Sequence, residues 1–301
     1  MIAVDNLFLR IILALIAFGC IAPLLGMLLQ GADRILSARM QGRVGPPLLQ
    51  PYYDVRKLLE KEDASVNKFQ EIFVLLFFIF AVLSGVFFFA GLNILLVIFT
   101  YTLSSVMLIL ASNVSDSPYA GLGGAREALQ VMAYEPAVLL FAVALFIATG
   151  SFEVSAVQSS SLPMIVSSPA IFLAFIFILT IKLRKSPFDI SMSAHAHQDL
   201  VSGLKTEFSG KTLALLEAAH WYESILFMAW TGMFFINASP LSYLVAIVVC
   251  VVIYFIEIWI DNNYARVKWQ VVLKSAWLVT LLAACINLPL LIFWFASGGV
   301  W

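Results

Sequence analysis

The sequence predicts an all-α integral membrane protein with eight transmembrane helices, both termini outside and large cytoplasmic loops, forming one polytopic domain over residues 1–301. Composition, the spacing of apolar runs and the placement of cations carry that reading. Of 301 residues, 62% are hydrophobic and 12% charged, against about 45–50% and about 25% in soluble domains. This balance excludes an ordinary soluble enzyme. With 17 Lys+Arg against 18 Asp+Glu and a net charge of -1, there is no basic field for nucleic acid and no acidic tail. Cys20, Cys250 and Cys285 each stand alone in an apolar run. No CxxC pair exists to bind zinc or an iron–sulfur cluster, so no metal or cofactor is expected on this chain. The N-terminus lacks a basic region and a small-residue cleavage site, so its first apolar run is read as a retained helix.

A hydrocarbon core about 30 Å thick takes about 20 residues of helix. The runs 7–29, 128–149, 213–236, 241–260 and 271–295 satisfy this directly, and 164–181 is shorter but free of charge. The 40-residue run 72–111 would make a helix roughly 60 Å long, about twice the membrane. It must fold back at Gly91-Leu92-Asn93, giving spans 72–90 and 94–111. Cations fix the orientation, because Lys and Arg near span ends are retained on the cytoplasmic side. All of them except Arg10 fall in the connections 30–70, 113–127, 182–211 and 261–274. These alternate connections are therefore cytoplasmic, and they also contain most of the loop sequence. Function is expected at that face. In the first loop a Gly/Pro turn leads into a short helix with Pro51 at its start. No internal repeat supports a transporter built from inverted halves.

A charge at the centre of a span costs about 2.5–3.5 kcal/mol, so each one needs a reason. Glu135 sits in Tyr134-Glu135-Pro136, where the proline frees a backbone carbonyl and loosens the helix. Glu217, His220 and Glu223 are spaced so that the first two share a helix face and the third lies somewhat round it. Glu257 lies four residues before Asp261 near the inner surface, where snorkelling is an equal alternative. The segment from Ser186 to Gly210 gathers Asp189, His195, His197, Asp199 and Glu207. Its histidines suit a proton relay or docking surface titrating near neutral pH. A metal site is the weaker reading, since an HxH pair lacks further ligands at a recognised spacing. A plain solvated loop is the third. Together these residues read as a chain of titratable groups in a wet cavity, the arrangement a proton-moving membrane protein needs.

Seven segments resemble the complex I subunit 1 family, whose bacterial members form the H subunit of NADH-quinone oxidoreductase. They are Gln41-Gly-Arg-Val-Gly-Pro46, Gln50-Pro-Tyr-Tyr-Asp54, Gly124-Ala-Arg-Glu-Ala128, Tyr134-Glu-Pro136, Pro187-Phe-Asp189, Leu200-Val-Ser-Gly203 and Glu207-Phe-Ser-Gly210. The resemblance implies a membrane anchor for a peripheral redox arm, at the start of a carboxylate path toward ion-pumping subunits. Within the family the chain is similar to the branch of energy-converting, membrane-bound nickel–iron hydrogenases. Its first loop lacks the longer insertion of respiratory members, and its third and fourth helices are joined through Asp-Ser-Pro and then Arg-Glu-Ala. His195 and His197 also stand where those members carry a run of glutamates.

By that resemblance Arg39, Arg43, Gln50, Asp54, Lys57 and Asp189 would line the docking surface and the remnant of a quinone chamber. Arg126, Glu127 and Glu135 would belong to the charged path, with Asp199 and Glu207 in the loop beneath. Glu217, His220 and Glu223 stand on their spacing alone. The implied partners are hydrogenase large and small subunits, iron–sulfur subunits and an antiporter-like membrane subunit. Ferredoxin is reached through the soluble arm, and the nickel–iron centre and clusters reside on those partners. The implied location is the cytoplasmic membrane of a prokaryote. The alternatives within the family are a quinone-chamber subunit of a respiratory complex I and the same subunit of a sulfur-reducing relative.

Overall fold

The computed structural model describes residues 6–62, 67–160, 162–193 and 200–296, and among these the regular structure is helical. The helices are α1 (Leu7–Met40), α2 (Gln50–Glu60), α3 (Lys68–Phe89), α4 (Ile94–Asn113), α5 (Pro118–Thr149), α6 (Met164–Ser167), α7 (Pro169–Lys182), α8 (Gly210–Met233), α9 (Leu241–Asn263) and α10 (Trp269–Ala296). Their starts follow from local side-chain chemistry. Asn6, Asn67 and Asn93 accept from the amides of Phe8, Phe69 and Leu95 at 3.1, 3.0 and 2.9 Å, capping α1, α3 and α4. Ser117 followed by Pro118 opens α5, and Ser209 with Thr212 forms a capping box on α8.

The apolar run 72–111 does fold back where expected. α3 ends at Phe89 and Gly91 turns the chain with φ +78°, so that Asn93 can cap α4. Among the described residues, six helices are long and apolar enough to cross a membrane: α1, α3, α4, α5, α9 and α10. Two expected spans differ. The run 164–181 is broken at Ser168–Pro169 into α6 and the 14-residue α7. Helix α8 has 24 residues but carries Lys211, Glu217 and Glu223, which dilute its apolar character. α1 and α5 run to 34 and 32 residues, about 50 Å each and well beyond a hydrocarbon core. Both overshoot at their cation-bearing ends, where they wall the loops of that face.

The apolar core centres on Trp230 of α8, fully enclosed by Phe88, Tyr101, Phe141, Phe175 and Phe227, with ring centroids 5.9–6.5 Å away. The segment after α7 is not a solvated loop in its described part. Phe188, Ile190, Leu200 and Leu204 are buried, and so are Lys185, Ser186, Ser191 and Ser193. Burial obliges its backbone to find partners. Leu204 N–H donates to Ser191 O at 3.2 Å and Ser202 N–H to Ser193 O at 2.8 Å. Side chains of α5 supply further partners: Gln130 donates to Phe188 O at 2.6 Å, Arg126 to Ile190 O at 3.3 Å and Tyr119 to Val201 O at 2.8 Å. The described part of the segment is thus folded against α5, with Met192, Leu204 and Phe208 buried among residues of α3, α4 and α8.

Candidate functional site

Helix α7 ends in an unusual way. Arg184 N–H donates to Ile181 O and Lys185 N–H to Thr180 O, both at 3.1 Å, the paired bonds of a Schellman cap. The left-handed position of such a cap favours glycine, yet here it is Arg184, with φ +52°. That turn sends three successive cationic groups in three directions, and each finds acidic or aromatic partners.

Arg184 organises the innermost group. Its Nη2 donates to Glu127 Oε1 of α5 at 3.0 Å, and its Nη1 lies 2.7 Å from His220 Nε2 of α8. The same Nη1 lies 3.1 Å from His220 Nδ1, so the guanidinium meets the imidazole between its two nitrogens. His220 Nδ1 is also 2.8 Å from Glu223 Oε2. Glu127, Arg184, His220 and Glu223 therefore form an unbroken hydrogen-bonded chain across three elements. Ser191 donates to the second oxygen of Glu127. Both carboxylates are buried, and each is satisfied by a charged or polar donor, as burial demands. A cavity of about 200 Å³ opens beside this chain, lined among others by Lys182, Arg184, His220, Glu223 and Glu217.

Expected and observed partners differ on α8. The spacing put Glu217 and His220 together on one face. Instead Glu217 turns to Lys205 at 3.4 Å, while His220 bonds Glu223. Both pairs are spaced i,i+3, so spacing does not choose between them; Lys205 draws Glu217 away and leaves His220 to Glu223. Glu257 is not at the surface. It is fully buried, with Thr180 Oγ1 at 3.4 Å. Glu135 is half-buried and accepts from Thr102 of α4 at 3.2 Å, deeper along α5 than Glu127.

A larger cavity, about 1070 Å³, lies at the cation-rich face and is lined by Arg34, Arg43, Arg126, Arg266, Lys268, Asp189 and Asp261, among others. Asp189 meets Arg266 at 3.4 Å, while Asp189 Oδ1 and Arg266 Nε are buried with no partner among the described residues. Burial pushes the Asp189 carboxyl up to about 7, outweighing the opposing pull of Arg266 and Arg184. Lys185 Nζ is held by Asp33 of α1 and by Asp261 of α9 at 3.4 Å. Burial disfavours its charge, but Asp33 and Asp261 more than compensate and raise its proton affinity.

At the mouth, Asp54 accepts from Arg34 at 2.6 Å and from Gln50 at 2.8 Å. Slight burial opposes ionisation there, yet these bonds and Lys57 hold its carboxyl below its ordinary value. Arg39, Arg43 and Lys57 are exposed, with Arg43 bonding Gln41. Arg126 lines the large cavity, whereas its neighbour Glu127 faces the inner chain. Glu207 is exposed. His195, His197 and Asp199 lie outside the described residues. Among the described residues, no group of three or more His, Cys, Asp or Glu is placed to hold a metal ion. Sequence reasoning missed Lys182, Arg184, Lys185, Asp33 and Asp261.

Fold and site together define a multi-pass helical membrane protein with a buried chain of ionisable side chains beneath a wide, cation-lined cavity. The family model described as NADH dehydrogenase matches residues 12–292, and the chain belongs to that family. It is 29% identical to the H subunit of NADH-quinone oxidoreductase from Geobacillus kaustophilus (strain HTA426), over 94% of this chain and 90% of that one. The corresponding protein of Anoxybacillus flavithermus (strain DSM 21510 / WK1) is 28% identical, over 91% of each chain. A solved chain from the membrane-bound sulfane sulfur reductase, an archaeal respiratory membrane complex, superposes with a TM-score of 0.78 at 22% identity. That match covers 93% of this chain and 99% of the other. The protein is thus a membrane subunit of the complex I-like class, homologous to the H subunit of NADH-quinone oxidoreductase.

Proposed function

We propose that this chain is the membrane anchor and coupling subunit of an energy-converting, ferredoxin-dependent nickel–iron hydrogenase complex in the cytoplasmic membrane of a prokaryote. It docks a soluble redox arm and links electron transfer to translocation of protons or sodium ions. The supporting observation is the hydrogen-bonded chain Glu127–Arg184–His220–Glu223, which lies between the cation-lined cavity and Glu135. A change of charge beside the docked arm alters the field at Asp189 and Arg126. The chain answers by shifting a proton through His220, whose imidazole stands between Arg184 and Glu223. Glu135 then passes the change toward a neighbouring antiporter-like subunit.

In this reading α6 with α7, and α8, complete eight spans, both termini face outside, and the exposed Arg39, Arg43 and Lys57 with Gln50 and Asp54 meet the arm. Asp199, Glu207 and the histidines 195 and 197 serve the same face. The hydrogenase assignment leans on the departures of the first loop and the post-Asp189 segment from the respiratory pattern. A sulfur-reducing arm is the second reading, favoured by the fold shared with the sulfane sulfur reductase chain.

The test is purification of the native complex in mild detergent, with metal analysis and an assay of ferredoxin-dependent hydrogen evolution. Nickel, iron and hydrogen production are expected to co-purify with this chain. Iron without nickel, accompanied by sulfur or quinone reduction, would overturn the hydrogenase assignment. For the coupling role, Glu135→Gln is expected to abolish the ion gradient formed per electron in vesicles while the complex still assembles. An unchanged gradient would sink it.

A further inference from the structure

Lys182 ends α7 with its ammonium enclosed among rings rather than beside a carboxylate. Nζ stands 3.1 Å from the centroid of Tyr134, 3.9 Å from Tyr101 and 5.3 Å from Phe227. It is buried and has no hydrogen-bond partner among the described residues. An ammonium with three donors and no acceptor is a costly thing to keep inside a bundle, and cation–π attraction offsets only part of that cost. Arg184 and Lys185, on the same turn, both found carboxylates. The rings of α4, α5 and α8 instead hold Lys182 where it bonds to none of its acidic neighbours.

The groups facing it are Tyr101 from α4, Glu127, Tyr134 and Glu135 from α5, Arg184 from its own turn, and His220, Glu223 and Phe227 from α8. Glu223, Glu127 and Glu135 are the acids whose charges act on it, with Arg184 the opposing cation. Lys182 also lines the cavity of about 200 Å³ beside Glu223 and His220, which has room for several waters. Its four-carbon stem is flexible, as a head turning between the cavity and Glu135 would require.

Resting on the coupling role above, we propose that Lys182 is a proton-carrying group of that path, relaying a proton between Glu223 and Glu135 from its aromatic box. In the first step an Nζ–H bond breaks and an O–H bond forms on Glu135, leaving a neutral amine and a neutral acid. In the second, the O–H bond of a protonated Glu223 breaks and the Nζ–H bond re-forms, restoring the ammonium and leaving Glu223 ionised. One proton has passed from Glu223 to Glu135. The box keeps the ammonium from locking into a permanent ion pair with either acid.

The experiment uses vesicles containing the native complex, with electron flow started by reduced ferredoxin and ion movement read by a pH-sensitive dye and by sodium uptake. Wild-type vesicles that form no electron-linked gradient would overturn the coupling reading itself, and this inference with it. Where they do form one, Lys182→Met and Lys182→Arg are compared. Arginine keeps the charge and stacks on the same rings but does not release its proton. Both variants are expected to lower the ions moved per electron by about tenfold or more, the scale of losing one positioned proton carrier. Wild-type coupling in Lys182→Arg would overturn the proposal, since it would mean that Lys182 is only a fixed counter-charge. Should that variant fail to assemble, Tyr134→Leu opens the box and leaves the lysine in place. It is expected to shift the pH profile of gradient formation by about 0.5–1.5 units, and an unmoved profile would overturn the proposal equally.

Discussion

Arg184 and Glu127, 57 residues apart, are joined by a guanidinium–carboxylate bond of 3.0 Å inside the helix bundle, and Arg184 makes it from a left-handed backbone conformation. A non-glycine residue there costs about 1–2 kcal/mol. The same residue also gives His220 its partner at 2.7 Å and through it fixes Glu223. Backbone strain at one position thus holds four ionisable side chains in register.

The strain and the charge can be separated by mutation. Arg184→Gly relieves the backbone but leaves Glu127 buried without its cation, and breaking a buried pair typically costs about 3–5 kcal/mol. The single variant is therefore expected to be less stable than wild type by about 2–4 kcal/mol after the strain is returned. Glu127→Gln/Arg184→Gly removes both charges and is expected to recover most of that loss while losing ion coupling. Thermal unfolding of the detergent-solubilised protein reads the first effect and vesicle gradients the second. Additive single-mutant losses would show that the two side chains are energetically independent.

Asp189 makes the stability of the loop pH-dependent. In the unfolded chain its carboxyl titrates near 3.8, and in the folded protein burial moves it to about 7. Between these values the native state holds a proton that the unfolded state has released. Stability must therefore fall as pH rises from about 4 to about 7, and the loss is complete above that. Asp189→Asn removes the titration. From pH 5 to pH 8 the variant is expected to gain on wild type by on the order of a few kcal/mol, approaching a constant difference above pH 8. A difference that stays flat from pH 5 to 8 would rule out a raised Asp189.

Much of this fold was legible because it depends on short-range chemistry. The fold-back at Gly91 falls where the length of the apolar run required it, and the asparagines at 6, 67 and 93 cap the helices that follow them through local bonds. Glu127, His220 and Glu223 were identified as single residues from their membrane depth or from the family pattern. Their connection was hidden, because Lys182, Arg184 and Lys185 look in sequence like ordinary loop cations that only set orientation. What makes them internal is the burial of the segment after α7, and that is a tertiary event. Asp33 was missed for a related reason: α1 continues to Met40, so a residue read as loop lies on a helix facing Lys185.

Two glycines near the start of α5 have opposite roles. A Cβ at Gly123 would press on the backbone of Gly203 and Leu204, which cannot give way as a flexible side chain does. A Cβ at Gly121 would meet only Asn113 Oδ1, at 3.9 Å. Gly121→Ala is expected to stabilise by up to about 1 kcal/mol through helix propensity. Gly123→Ala is expected to destabilise by about 1–3 kcal/mol as the loop is forced off α5, weakening the Tyr119–Val201 and Arg126–Ile190 bonds. Unfolding midpoints of the two variants check both signs, and a stable Gly123→Ala would mean that the loop is not seated against α5.

The two ion-pair groups at the cation-rich face are expected to respond differently to salt. Lys185 is buried between Asp33 and Asp261, whereas Arg34 and Asp54 each leave more than a third of the side chain in solvent, at 38% and 39%. Exposed pairs are screened and contribute about 0–1 kcal/mol. Arg34→Met is therefore expected to change stability by less than about 1 kcal/mol at low salt and by almost nothing at high salt. Lys185→Met strands two carboxylates and is expected to cost about 3–5 kcal/mol with little dependence on salt. The pH response has a definite sign. The proton affinity of Lys185 is higher folded than unfolded, so its stabilisation is fully present below about 10.5 and disappears as pH rises through the folded value. Denaturation series at two salt concentrations, repeated at alkaline pH, check all three expectations. A Lys185→Met loss that vanishes in high salt would mean that this pair is screened as an exposed one is, and that it does not tie α1 and α9 to the end of α7.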